Sequence, residues 1–386
     1  MTKRQRRQIL SSANLLRPPR LRTIDDTDPE RHATWLEQFF DIVFGVAIAE
    51  LSHNLSNDLS IAGFVKFAAL FVPCWWAWVL FTFYADRFDT DDVIYRLLTL
   101  SGMLTVAALA VNIHNAFHSS SAGFAISYVL LRSVVLVMYV RAARHVPVAR
   151  ASLKLYLASY APSTSLWLAS VAVPTPSRYV LWAIAMTIEL SMPLLGSRVL
   201  TRTPAHASHL PERFGLFTLI VLGELIVSVT GSISHMHWQL PSTTNAVFGF
   251  AIAASLWWNY FNFLDSSVCI KGVGSVHLYN YGHLPILIGL TLAAVGTEHA
   301  ILEASYSVLP AGTRWALCGG VALYLLSLTA LRIASRCARV IWVRAGLAPI
   351  AIGLAVAGGS LVPMALCGLL LVMLIGLVSL EILSSD

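Results

Sequence analysis

LVPMALCGLLLVMLIGLVSL, residues 361–380, runs for twenty positions without a charged side chain. About 20 apolar residues cross the hydrocarbon core of a bilayer as a helix, so this stretch reads as a membrane span, extended to 361–382. Moving back toward the start, similar apolar segments occupy 340–357, 313–334, 282–305, 244–265, 212–234, 178–197, 152–173, 121–141, 93–116, 62–84 and 35–56. Only Gly358-Gly359-Ser360 separates the last two, which leaves open whether they cross separately. The whole chain of 386 residues is 57% hydrophobic and 12% charged. A soluble domain carries roughly 25% charge and about 45–50% apolar residues. A soluble enzyme or DNA-binding protein is therefore excluded. The expected fold is all-α, a polytopic transmembrane helical bundle of about 12 spans.

Charge sets the expected orientation. Residues 1–30 carry Lys3, Arg4, Arg6, Arg7, Arg17, Arg20 and Arg22, and Pro18-Pro19 blocks a helix there. No short apolar core with a cleavage site follows, so this reads as a flexible basic cytoplasmic tail rather than a signal peptide. With the tail inside, the inner segments hold 22 of the 26 Lys and Arg residues, as the positive-inside rule requires. Both termini are then cytoplasmic, in the inner (plasma) membrane. The net charge of +6 follows from this topology and implies no nucleic acid.

An internal repeat supports the same count. Pro29-Glu30-Arg31 recurs as Pro211-Glu212-Arg213, an offset of 182. At that offset Ser52-His53 matches Ser234-His235, Trp75-Trp76 matches Trp257-Trp258, Phe81 matches Phe263, and Trp78 meets Tyr260. Six spans separate equivalent points. The expected halves, 31–205 and 206–386, are thus two parallel six-helix repeats related by an axis along the membrane normal.

Ionisable side chains are expensive in hydrocarbon and persist with a partner or in a wet cavity. Glu37 and Asp41 lie one turn apart on the first span, with Glu50 and His53 farther along. The pair could bind a cation or share a proton; alternatively Glu37 caps the helix at the cytoplasmic interface. Glu224, in Leu222-Gly223-Glu224-Leu225, lies near the middle of the seventh span. The repeat aligns it with Ile42, one residue from Asp41. Glu298-His299 on the ninth span suits a proton relay, a cation site or a structural hydrogen bond. Arg132, in the middle of the fourth span, needs a carboxylate, and Glu189 of the sixth is the candidate. Asn259 and Asn262 are spaced to bond a neighbouring helix, within an inner aromatic belt that ends at an interfacial Asp265. His283 opens the ninth span.

Other signals are weak. Asp86, Asp89, Asp91 and Asp92 read as a solvated turn rather than a divalent-cation site. His235 and His237 lack a third metal ligand. Cys74, Cys269, Cys318, Cys337 and Cys367 show no C-x-x-C spacing and read as core residues. No Walker, G-x-S-x-G or H-E-x-x-H motif occurs. No cofactor and no resident metal are expected, and the reading points away from an enzyme.

Three stretches carry a family resemblance. They are Arg31-His32-Ala33-Thr34-Trp35-Leu36-Glu37-Gln38-Phe39-Phe40-Asp41-Ile42-Val43-Phe44, Glu212-Arg213-Phe214 leading to Leu222-Gly223-Glu224, and Trp257-Trp258-Asn259-Tyr260-Phe261 followed by His283-Leu284-Pro285 and Glu298-His299. Together they resemble the bacterial low temperature requirement protein A family. That resemblance implies a multi-spanning inner-membrane protein and no defined substrate. The first stretch alone is similar to the proton-gated lysosomal potassium channels and their bacterial relatives. There the likeness implies pore-lining roles for Phe39, Phe40 and Asp41. This sequence departs by having Phe40 in place of Ser, and Gly223-Glu224 in place of Ser-Asp.

The favoured function is a secondary transporter or channel for a small ion or solute. Its pathway uses Glu37, Phe40, Asp41, Glu224, Glu298 and His299, supported by Arg31, Arg132, Glu189, Arg213, Asn259, Asp265 and His283. Its expected partners are the lipid bilayer and that ion or solute. The alternatives are a structural or sensory role in cold adaptation, or an intramembrane enzyme or redox protein built on His283, Glu298 and His299.

Overall fold

A backbone in lipid has no water to bond, so each crossing segment must close its own hydrogen-bond ladder. Helices occupy all twelve apolar segments in the computed structural model, which describes residues 17–21, 32–89, 91–202, 209–265, 273–334 and 341–385. They are α1 (Trp35–Ser56), α2 (Ile61–Arg87), α3 (Val93–Ile113), α4 (Ser121–His145), α5 (Ala149–Ala172) and α6 (Ser177–Leu195). There follow α7 (His209–His235), α8 (Leu240–Asp265), α9 (Val273–Leu302), α10 (Gly320–Ala334), α11 (Ile341–Ala357) and α12 (Pro363–Ser385). A helical turn, Ala311–Arg314, and a π-turn, Trp315–Gly319, lead into α10. Among the described residues, eight helices are long and apolar enough to cross a membrane: α2, α3, α4, α6, α7, α9, α10 with its leading turns, and α12. The chain is an all-α membrane bundle.

Two compact units emerge. The first comprises Met1–Ala47, Pro73–Arg213 and Lys271–His277. The second comprises Ile48–Val72, Phe214–Ile270 and Leu278–Asp386. In the first, α3 packs on α4, α4 on α5 and α5 on α6, the order that short connections dictate. Rings fill its core. Trp167 of α5 lies 4.6 Å from Tyr128 of α4 and 5.1 Å from Trp182 of α6, centroid to centroid. Part of the basic N-terminal stretch is fixed here: strand β1 (Arg20–Leu21) pairs antiparallel with β2 (Phe88–Asp89), and Arg141 donates to the Arg17 carbonyl at 2.8 Å. The expected flexible tail therefore has an anchored segment at 17–21; Arg31 lies outside the described residues.

In the second unit α8 packs on α12, and α10 on α11. Glycine lets α9 and α10 meet backbone to backbone. A Cβ on Gly289 would stand 2.7 Å from the Gly320 carbonyl oxygen and 2.8 Å from the Tyr324 nitrogen. Small residues at such crossings are how helices associate in lipid, where apolar burial gives no advantage.

Helix α1 begins with a reciprocal cap. The Thr34 N–H donates to Glu37 Oε2 at 2.8 Å, and the Glu37 N–H donates to Thr34 Oγ1 at 3.3 Å. This capping box satisfies two donors that a helix start otherwise leaves bare. Thr34→Ala is expected to cost about 1 kcal/mol, seen as a lowered midpoint of thermal unfolding. Thr34→Ser should retain most of that stability.

Candidate functional site

Two i, i+4 pairs interleave in the first unit. Glu37 and Asp41 stand on α1, and His209 and Arg213 on the first turns of α7; residues at this spacing share a helix face. Arg213 Nη2 donates to Asp41 Oδ1 at 2.5 Å, and Arg213 Nη1 lies 3.6 Å from Glu37 Oε2. His209 Nε2 lies 3.5 Å from that same Glu37 oxygen, and His209 Nδ1 lies 3.1 Å from Asp86 Oδ1 on α2. Trp78 of α2 donates its indole N–H to Asp41 Oδ1 at 2.7 Å. The result is a ladder running Asp86, His209, Glu37, Arg213, Asp41, Trp78. Every member is at most 3% exposed.

Such a ladder concentrates charge. Three carboxylates, one guanidinium and one imidazole make up the ladder, and the Arg87 guanidinium interacts with Asp86 at its end. Buried charges of this kind need compensation, because desolvation costs several kcal/mol per ion. Among the described residues, Asp41 Oδ2 and Arg213 Nε are buried without a hydrogen-bond partner. No group of three or more His, Cys, Asp or Glu among those residues could hold a metal ion.

The same unit holds a second set of buried charges. Arg132 Nε lies 3.2 Å from Glu189 Oε2, and the Tyr128 hydroxyl donates to that oxygen at 2.7 Å. Arg141 pairs with Asp92 at 2.6 Å, while Asp92 also caps α3 through the Tyr95 N–H at 3.0 Å. Arg87 donates to the hydroxyls of Tyr139 and Tyr156 at 3.2 and 2.7 Å. These contacts correct the expectation of a solvated acidic turn. Asp86 and Asp92 are buried and paired, and Asp91, which bonds Arg96 at 2.8 Å, stays exposed. Phe40 is buried against Phe44 and Phe81, with ring centroids 4.9 and 4.6 Å away, whereas Phe39 is exposed.

The second unit has its own polar cluster. His283 Nδ1 lies 2.6 Å from the Tyr279 carbonyl, and Nε2 lies 2.9 Å from the Tyr260 hydroxyl. A carbonyl only accepts, so Nδ1 carries the hydrogen and Nε2 accepts from Tyr260. The His299 ring lies 3.0 Å from Ser56 Oγ and 3.4 Å from Glu303 Oε1, so its acidic contact is Glu303, one turn on, rather than the adjacent Glu298. Thr313 donates to the other Glu303 oxygen at 2.8 Å. Glu224 and Glu298 are half-buried. Asn259 donates within its own helix, to the Ser255 carbonyl at 2.9 Å; it is Asn262 that reaches another helix, donating to Glu381 of α12 at 3.2 Å. The Asp265 side chain lies outside the described residues.

Reasoning from sequence missed His209, Asp86, Trp78, Glu303 and Glu381 as partners. A usable signal existed for His209: its i, i+4 spacing to Arg213 matches that of Glu37 to Asp41 with opposite charge.

The family described as "Bacterial low temperature requirement A protein (LtrA)" matches residues 32–379. An uncharacterized protein of Rhizobium meliloti (strain 1021) is 29% identical over 296 residues, which cover 72% of this chain and 71% of that protein. No solved structure matches.

Proposed function

The chain belongs to the bacterial low temperature requirement A family, and from that premise we propose that it moves a small ion or solute through the membrane as a secondary transporter or channel. In this reading the chain crosses an inner membrane twelve times as two like-oriented six-helix halves, with both termini in the cytoplasm. The observation that carries it is the ladder of three buried carboxylates with one arginine and one histidine in the first unit. Ionisable groups inside a membrane protein are costly, and they mark ion pathways and proton relays.

Flux into proteoliposomes tests the proposal. Asp41→Asn should lower flux about tenfold or more, equivalent to at least about 1.4 kcal/mol. Glu224→Gln tests the second unit in the same assay. Unchanged flux in both variants would remove these acids from the mechanism. A structural or sensory role in growth at low temperature is the second reading. It is favoured by Glu37, whose carboxylate also closes the α1 capping box. That reading expects the variants to lower thermal stability while flux is unaltered.

A further inference from the structure

We infer that the ladder in the first unit is a proton-binding site rather than a metal-cation site, and that the proton sits on Oδ2 of Asp41. The inference rests on reading this cluster as an ion site and names the ion it takes.

Bond topology is the first reason. Arg213 and Trp78 both donate to the same oxygen, Asp41 Oδ1, while Oδ2 is buried and bare. Such an arrangement lets one oxygen go on accepting as a carbonyl while the other takes a hydrogen. Protonation on Oδ2 therefore breaks neither recorded bond. A hydronium gives up its proton, an O–H bond forms on Oδ2, and a water molecule leaves. The carboxylate loses its charge, and with it most of the Coulomb attraction to Arg213.

Ligand chemistry is the second reason. A calcium ion takes six to eight oxygen ligands and magnesium a strict octahedron of them. The groups recorded on Asp41 are N–H donors, one of them cationic, and these repel a metal ion. A proton needs one oxygen and tolerates both donors.

The surrounding charges are consistent with this choice. Facing the site are Glu37 from α1, Trp78 and Asp86 from α2, and His209 and Arg213 from α7, with Tyr95 of α3 in electrostatic reach of Arg213. His209 turns Nδ1 toward Asp86 Oδ1 at 3.1 Å and Nε2 toward Glu37 Oε2 at 3.5 Å.

Infrared difference spectroscopy on the purified full-length protein, titrated with acid, reads this directly. The expected result is one protonated-carboxyl C=O band that Asp41→Asn abolishes and Asp41→Glu shifts. Adding sodium, potassium, calcium or magnesium chloride at constant pH should leave the band in place. Size-exclusion profiles certify that each variant is folded, and Asp41→Glu keeps the test open should Asp41→Asn fail. A band that survives Asp41→Asn, or one that a metal chloride removes at constant pH, overturns the inference. The measurement is independent of transport. A band lost in Asp41→Asn from a protein without flux supports the proton site and defeats the transport reading. Flux without such a band does the reverse.

Discussion

Replacing Arg213 with glutamine is expected to cost about 3–5 kcal/mol of stability, the usual consequence of removing one partner from a buried ion pair. Its guanidinium lies between Glu37 and Asp41, and all three side chains are nearly inaccessible. Without it Asp41 loses its guanidinium partner, and Glu37 keeps only His209 of the ladder's basic groups beside it. Adding Asp41→Asn to Arg213→Gln should return part of the loss, because the amide no longer needs a cation. A coupling of at least about 1 kcal/mol between the two sites is the expected outcome of that double-mutant cycle. Thermal unfolding in detergent measures it. A single variant within about 0.5 kcal/mol of the parent, the range of an inert surface change, would show that the ladder is not held by charge.

The second large effect belongs to the glycine crossing of α9 and α10. Gly289→Val places carbon 2.7 Å from a backbone oxygen and 2.8 Å from a backbone nitrogen, where no side-chain rotation can relieve the clash. Overpacking a well-filled core forces side-chain and backbone shifts that typically cost about 1–3 kcal/mol and occasionally more. A loss of at least about 3 kcal/mol is expected, read as a collapse of the monodisperse size-exclusion peak. Gly353→Ala is the control. A Cβ there meets nothing within 4 Å, so the substitution should be neutral or gain up to about 1 kcal/mol of helix propensity. Equal behaviour of the two variants would mean that α9 and α10 do not approach as closely as described.

The helices were legible from sequence because a bilayer solvent imposes a length and an apolar composition that few other contexts produce. Glu37 and Asp41 stood out for the related reason that charge is rare there, and Arg213 through the repeat that matches it to Arg31. Pairing was harder. His209 lies 172 residues from Glu37, and nothing local in either segment says that α7 begins against α1. Asp86 sits among three other acids, and the composition of that turn suggested water, while the α2 helix turns its side chain inward to His209. At Glu298-His299 the nearer contact of the ring is not the sequence neighbour. Neighbours on a helix point about 100° apart, whereas Glu303, at i+4, shares the face of His299.

The two-residue strand pair carries a topological parity. Backbone hydrogen bonds hold Arg20–Leu21 beside Phe88–Asp89, so these residues lie on one side of any bilayer, and the chain between them must cross an even number of times. Among the described residues, only α1 and α2 intervene. If α2, which has the length and composition of a crossing, spans the bilayer, the strand pairing requires α1 to span it too, in spite of Glu37, Asp41 and Glu50, as the topology we propose has it. An impermeant thiol reagent applied to single cysteines at positions 20 and 88 should then reach both from the same face or neither.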